Sequence, residues 1–471
     1  MAIDSSLGGG KLEVDSEHLN YPDSEPVAIV KVREHFRELY GNQVVRGTFW
    51  TLFGYGVSQV LRLGGNLILT RLLFPEAFGL MALISMFMIA AEMFSDVGIG
   101  PSIIQNKRGN DPVFLNTAWT IQSIRGFFLW MALCILAWPM SQFYEEKLIA
   151  VMLPVVGFNM LLGGLNTTAF FTLNRRLELA RITLVDLGCQ IGGLVAMVLW
   201  AWIYPTVWAL VFGGVFATTL KLLAGHIFLP AQTKHRFHFD RECMRSLFRF
   251  GRWIFLSTIF GFFAGQGDRV ILGKVLTLAQ LGVYSIASML ADGVISALES
   301  LASKVLFPLY SRLAEGDPAE MQHKIGKLRL KLLLATLLPI CLIIAGGDHL
   351  IAFMYDHRYH NAGWMLQILS IGALAASVNI MIAPIVISHG DSFGFMITVF
   401  LSAFTLLLCM FIGGFLWGSF GLVLGITVSS FAYYPVMAYF AYRYRIWTPV
   451  MDFTYIAGGG ILSLTGWILL H

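Results

Sequence analysis

Charge is scarce in this chain. Asp, Glu, Lys and Arg make up 13% of its 471 residues while hydrophobic residues reach 57%, against about 25% and 45 to 50% in a soluble globular domain. A soluble fold of this length is excluded. Cysteine is scarce too: Cys134, Cys189, Cys243, Cys341 and Cys409 lie in apolar runs or in one basic loop, without the paired spacing of a disulfide framework or a metal knuckle. Short alternating segments of about 10 residues, the mark of a membrane β-barrel, are also missing. The N-terminus, Met1 to Tyr40, has no short apolar core or small-residue cleavage site, so it is not read as a secretory signal and is expected to stay cytosolic. No Walker A loop, HExxH or GxSxG occurs, and the histidines of YDHRYH (Tyr355 to His360) have no acidic or cysteine neighbours beyond Asp356. An enzyme is therefore not expected, nor a cofactor, a resident metal or a nucleic-acid partner.

What is present is length in apolar runs. Mean hydropathy is +0.71, and continuous stretches give about thirteen candidate spans, roughly 48–70, 78–100, 114–138, 148–171, 182–204, 206–229, 253–275, 281–307, 331–351, 364–388, 393–415, 420–441 and 453–470. The fold class is an all-α polytopic membrane protein of about thirteen (twelve to fourteen) helices. With a cytosolic N-terminus, most of the 32 Lys and Arg fall on inner loops, and Arg71, Lys147, Lys274 and Arg358 lie outside. This bias fixes the orientation by the positive-inside rule. Residues 27–40 place Ile29, Val32, Phe36 and Leu39 on one stripe, an interfacial amphipathic helix within a tail ending at 43. The expected organisation continues with an N-terminal lobe (44–230, spans one to six), a basic cytosolic linker (231–252), a C-terminal lobe (253–443, spans seven to twelve) and an extra span (444–471).

An internal repeat supports two lobes. A shift of 203 positions lays Asn66 to Ser85 on Arg269 to Ser288, matching Ile68 with Ile271, Arg71 with Lys274, Gly79 with Gly282 and Ser85 with Ser288, and it carries Asp96 onto Glu299. Segments six helices apart enter the membrane in the same direction, so the repeat is parallel, as in transporters whose lobes rock around a central cavity.

Ionisable groups inside spans are expensive, about 2.5 to 3.5 kcal/mol each, and tend to line cavities or find partners. Arg125 sits near the middle of its span and is the leading cavity candidate. Arg62 and Asn66, at i and i+4, can offer a cation and an amide to a phosphate oxygen. Arg269, beside Asp268, reads equally as a ligand contact or an ion pair. Lys221 is close enough to the cytosolic end of its span to snorkel, whereas Lys304 shares its helix with Asp292 and Glu299, which fall on one face. Glu92 and Asp96 form the other acidic pair. Two carboxylates in a poorly hydrated site cannot both ionise cheaply, a property that suits ion coupling, although pairing with Arg62 or Arg125 reads as well.

Four stretches carry a family resemblance: RLLFPEAFGLMALISMFMIAAEMFSDVGIGPSIIQ (Arg71 to Gln105), GDRVILGKVLTLAQLGVYSIA (Gly267 to Ala287), KVLFPLYSRL (Lys304 to Leu313) and MYDHRYHNAGWMLQILSI (Met354 to Ile371). In their order and spacing the chain resembles the polysaccharide transporter family, the Wzx-type oligosaccharide flippases of the MOP superfamily. The resemblance implies two six-helix lobes around a cationic cavity in a bacterial inner membrane. It also implies a substrate, an undecaprenyl-diphosphate-linked oligosaccharide for exopolysaccharide, O-antigen or capsule synthesis, carried by alternating access coupled to protons or sodium, with polysaccharide polymerase or export machinery as a possible partner. On that reading Arg62, Asn66, Arg125, Arg269 and Lys304 bind substrate, and Glu92, Asp96, Asp268, Asp292 and Glu299 contain the coupling group. Family members commonly have fourteen helices, so thirteen here would put the C-terminus outside. A multidrug exporter of the same superfamily is the main rival, which would want acids to dominate the cavity. A membrane polysaccharide polymerase ranks below it, because the longest external connection is only about a dozen residues.

Overall fold

The computed structural model describes residues 27–96, 98–106, 108–229, 236–306, 310 and 318–470. Among these, every regular element is helical and no strand forms, as hydrocarbon requires of continuous apolar runs, whose backbone groups must bond within the segment. In chain order the helices are α1 (Val27–Leu72), α2 (Pro75–Ser95), α3 (Ile99–Gln105), α4 (Pro112–Phe143), α5 (Lys147–Gly164), α6 (Ala169–Arg175), α7 (Leu179–Ile203), α8 (Trp208–Phe228), α9 (Arg241–Val275), α10 (Leu278–Leu301), α11 (Pro318–Met354), α12 (Ala362–Ser388), α13 (Ser392–Arg443) and α14 (Pro449–Leu470). Ten of them are long and apolar enough to cross a membrane. α13 is broken at Trp417 and Gly418, where a φ of 59° at Gly418 favours glycine, so it supplies two crossings. With α1 and α9 added, each of the expected spans has its helix.

The differences are at breaks. α2 stops at Ser95, because the Asp96 carboxylate accepts the Gly98 N–H at 2.8 Å and Gly98 is left-handed, so the expected second span divides into α2 and α3. The fourth divides likewise after Gly164. α9 begins at Arg241, well inside the expected linker, of which 231–235 lie outside the described residues. Ahead of it an extended segment docks on α4: the N–H groups of Arg236, His238 and Asp240 donate to Asn116, Thr120 and Thr117. The expected amphipathic stripe at 27–40 is helical backbone continuous with α1, and its side chains lie outside the described residues.

Two bundles result. α1 packs on α7, α7 on α8, α8 on α5 and α5 on α4, while α9 packs on α13, α13 on α12, and α12 on α10 and α11, with α14 outside against α11. The bundles meet chiefly where α2 crosses α10. At the crossing, a Cβ added to Gly79 would strike the carbonyl of Leu278, and one added to Gly282 would strike the carbonyl of Pro75. The shift that relates Gly79 to Gly282 also relates Pro75 to Leu278, so this contact lies on the pseudo-twofold axis of the repeat. Around it Leu80, Leu83, Ile84 and Tyr284 are fully buried.

Further bonds between the bundles gather at the same end, on the side the charge bias places outside. Lys274 donates to the Phe143 carbonyl and pairs with Glu145, both at 2.7 Å, and its ammonium holds the Glu145 carboxyl below the ordinary range. Arg358 reaches the carbonyls of Thr70 (3.4 Å) and Arg71 (3.2 Å) at the end of α1, and Tyr359, fully buried, donates to the Leu73 carbonyl. Side-chain bonds thus tie the two bundles together at this end. Gly79→Leu or Gly282→Leu is expected to lower thermal stability in detergent by about 1 to 3 kcal/mol through overpacking, whereas Gly214→Leu, with open space around it, should not. Equal melting of all three variants would contradict the close crossing.

α14 is tied down by charge. Arg329 on α11 and Asp452 on α14 are both fully buried, with Nη2 to Oδ1 at 2.9 Å, and Tyr434 donates to the second carboxylate oxygen at 3.2 Å. Removing one partner leaves a lone charge, whereas replacing both leaves none. Arg329→Leu should therefore destabilise by roughly 3 to 5 kcal/mol, and Arg329→Leu with Asp452→Leu should recover most of it in the same melting assay. An additive double variant would contradict this pairing.

Candidate substrate and ion sites

Two polar cavities are described, one in each bundle. The N-terminal one encloses about 600 Å³ between α2, α4, α5, α7 and α8. Arg125 reaches into it from α4. Its Nε donates to the Ser95 hydroxyl at 2.9 Å and one Nη to the Glu92 carbonyl at 3.0 Å. A guanidinium placed on the last turn of α2 satisfies orphan carbonyls and complements the negative end of the helix dipole. Glu92 and Asp96 line the same cavity, yet among the described residues neither forms an ion pair with Arg125. Lys221, expected to snorkel, instead pairs with Asp186 at 2.8 Å and lies 5.1 Å from the centre of the Phe170 ring. The intramembrane position of both groups explains the change: in hydrocarbon a nearby carboxylate is a better partner than distant water.

The C-terminal cavity, about 650 Å³, lies between α9, α10, α12 and α13. It gathers Asp268, Arg269, Asp292 and Glu299. Tyr284 donates to Asp268, Ser288 donates to Asp292 at 2.9 Å, and Arg269 donates to Gln266. Although Arg269 and Asp268 are neighbours in this cavity, among the described residues they form no ion pair: Arg269 turns to Gln266 and Asp268 to Tyr284. Three carboxylates against one guanidinium give this cavity an excess of negative charge; the N-terminal cavity sets three, Glu92, Asp96 and Asp186, against Arg125 and Lys221. Asp96 and Glu299 thus line equivalent cavities, but Asp96 sits just past its helix and Glu299 is within α10.

Two expected substrate residues are placed elsewhere. Asn66 accepts the Tyr355 hydroxyl at 3.4 Å, toward the end where Arg358 and Tyr359 bridge the bundles. Arg62 is exposed on α1, within electrostatic reach of Asp292. Lys304 falls in a π-helical turn, Ala302–Leu306, and its side chain lies outside the described residues. Sequence reasoning missed Asp186, Arg329 and Asp452. Asp186 is within an expected span and open to the same argument that selects the other acids; Arg329 and Asp452 stand one or two residues beyond expected span ends, where a charge reads as solvated.

The chain matches known proteins over most of its length. The profile of a family described as polysaccharide biosynthesis protein covers residues 68–362. The lipopolysaccharide biosynthesis protein WzxC of Escherichia coli (strain K12) is 19% identical over 419 residues, 86% of this chain and 85% of WzxC. A putative O-antigen transporter of Shigella flexneri is 23% identical over 70% of this chain and 81% of its own length. Among solved structures, the lipid II flippase MurJ in an inward closed conformation superposes with a TM-score of 0.66 at 11% identity, covering 89% of this chain and 92% of MurJ. With a profile spanning more than half of its residues, this polytopic membrane protein belongs to the polysaccharide biosynthesis protein family.

Proposed function

We propose that the chain is a flippase that carries an undecaprenyl-diphosphate-linked oligosaccharide unit from the cytosolic to the outer leaflet of a bacterial inner membrane, with its N-terminus in the cytosol. The observation that carries this reading is Arg125. It is a cation deep in a span, one edge spent on Ser95 and Glu92 and one Nη without a partner among the described residues, facing a cavity large enough for a polar headgroup. A diphosphate can accept from that edge, and the charge-assisted bond replaces water the membrane does not supply. The names borne by WzxC, the O-antigen transporter and MurJ point to the same class of substrate.

Coupling is assigned to the C-terminal cavity. Asp268, Asp292 and Glu299 against a single Arg269 make it the better host for a proton or sodium ion, and Arg62 on the opposite bundle is near enough for its charge to be felt at Asp292. An ion shifts the lobe equilibrium only if it meets different surroundings in the two arrangements. A carboxylate that feels the charge of a residue on the other bundle meets different surroundings when the bundles move apart. In the N-terminal cavity, Glu92 and Asp96 then serve to hold Arg125 in a favourable field.

In cells depending on this protein, Arg125→Ala at normal abundance should reduce polymer export about tenfold or more, and Arg125→Lys should restore it only in part, because ammonium lacks the planar fork. Asp292→Asn and Glu299→Gln should alter the dependence of export on external pH or sodium. Full export by Arg125→Ala would sink the substrate reading, and unchanged pH and sodium profiles in both acid variants would sink the coupling assignment.

A further inference from the structure

We propose that the N-terminal cavity is a saccharide-binding subsite built on Asn159 and Asn166. The inference rests on the reading of the substrate as a lipid-linked oligosaccharide and assigns its sugar portion a place. Asn159 lies on α5 and Asn166 in the turn that follows it, and both line the cavity with Arg125. Each carboxamide oxygen is buried and has no hydrogen-bond partner among the described residues. A buried acceptor left unmade is unfavourable, and native proteins keep few of them without a purpose. Here two stand in one cavity.

The chemistry of the two side chains selects the ligand. A carboxamide offers both donors and acceptors, and a half-turn exchanges them at the cavity wall, which matches sugar hydroxyls that donate and accept at the same atom. Lys221 is paired with Asp186, the Asp96 carboxylate accepts the Gly98 N–H, and Arg125 spends one edge on the Ser95 hydroxyl and the Glu92 backbone carbonyl. What remains for a ligand is the two carboxamides, the Glu92 carboxylate as a further acceptor for hydroxyls, and one cationic edge for a phosphate. Phe170 and Phe171 supply apolar surface for the carbon-bound faces of a sugar ring, and the cavity volume of about 600 Å³ falls in the range of ordinary ligand sites. The C-terminal cavity differs in this respect. Its one amide, Asn379, has a buried oxygen without a partner as well, but its nitrogen is already committed to the Ser430 carbonyl, and the rest of its polarity is the Arg269 guanidinium, carboxylates and hydroxyls.

The test uses the full chain in nanodiscs and two probes, undecaprenyl diphosphate without sugar and the undecaprenyl-diphosphate-linked oligosaccharide extracted from the cells that express the protein, with binding followed by native mass spectrometry. Wild type should bind the glycosylated probe more tightly. Asn159→Leu and Asn166→Leu should each weaken that probe about tenfold, the loss of one or two hydrogen bonds, and leave the bare probe within about twofold. Arg125→Ala should weaken both. Should a leucine variant fail to fold, Asn159→Ser or Asn166→Ser, shorter but polar, should give the same selective loss. Variants that bind both probes as wild type does, or lose both equally, overturn the subsite. A wild type that binds the two probes alike overturns the subsite and leaves the substrate reading standing, and one that binds neither removes both.

Discussion

The close approach of α2 and α10 at Gly79 and Gly282 is the contact on which the arrangement of the two bundles depends. Lipid tails are as apolar as leucine, so helices in a membrane gain little by hiding hydrophobic surface and associate through close packing of small residues. Here each glycine lies beneath the carbonyl of the residue four positions before its counterpart, Leu278 over Gly79 and Pro75 over Gly282. No side chain fits between them. Because the contact lies on the axis of the repeat, it holds equivalent parts of both bundles together. The bonds from Lys274, Arg358 and Tyr359 to the neighbouring helix ends add to that contact.

The repeat gives the bundles the same outline and different interiors. α2 and α10 correspond position for position through the crossing, then diverge: α2 ends in the Asp96 turn, and α10 runs on to Leu301 and a π-helical turn. That divergence places Arg125 on an exposed helix end in one bundle, whereas in the other the equivalent stretch of α10 carries Asp292 and Glu299 into a cavity with hydroxyl partners. On the proposed function, a symmetric frame with differing interiors gives the substrate and the coupling ion separate cavities.

Much of this was legible in the sequence because hydrocarbon leaves so few choices. Continuous apolar runs must be helices, and the shift that aligns Gly79 with Gly282 picks out two positions that meet on the axis. The breaks were hidden. Asp96 and Gly98 terminate α2 through a local side-chain bond and a left-handed backbone, features that hydropathy averages away, and Asn166 sits in a turn that the same averaging read as span. Arg329 and Asp452 lay at the uncertain ends of spans, where a charge reads as solvated until the neighbouring helix is in place to bury it. Among the candidate residues, Asp292 and Glu299 lie on α10 and line one cavity, and Glu92 and Asp96 line the other although Asp96 stands past the end of α2. Sharing a helix face did not bring Arg62 and Asn66 to the cavities, because their position depends on how α1 leans against the other bundle, and no periodicity encodes that.

The central claim, gradient-driven passage of a lipid-linked oligosaccharide, is tested most directly in proteoliposomes holding the purified chain and a fluorescent undecaprenyl-diphosphate-linked oligosaccharide. A membrane-impermeant quencher added outside reports how much of the lipid changes leaflet. The account predicts transfer well above that of protein-free vesicles while a proton or sodium gradient is held, and a return to the protein-free rate when both gradients are collapsed. Transfer no faster than in empty vesicles under either gradient, or equally fast without one, would contradict it.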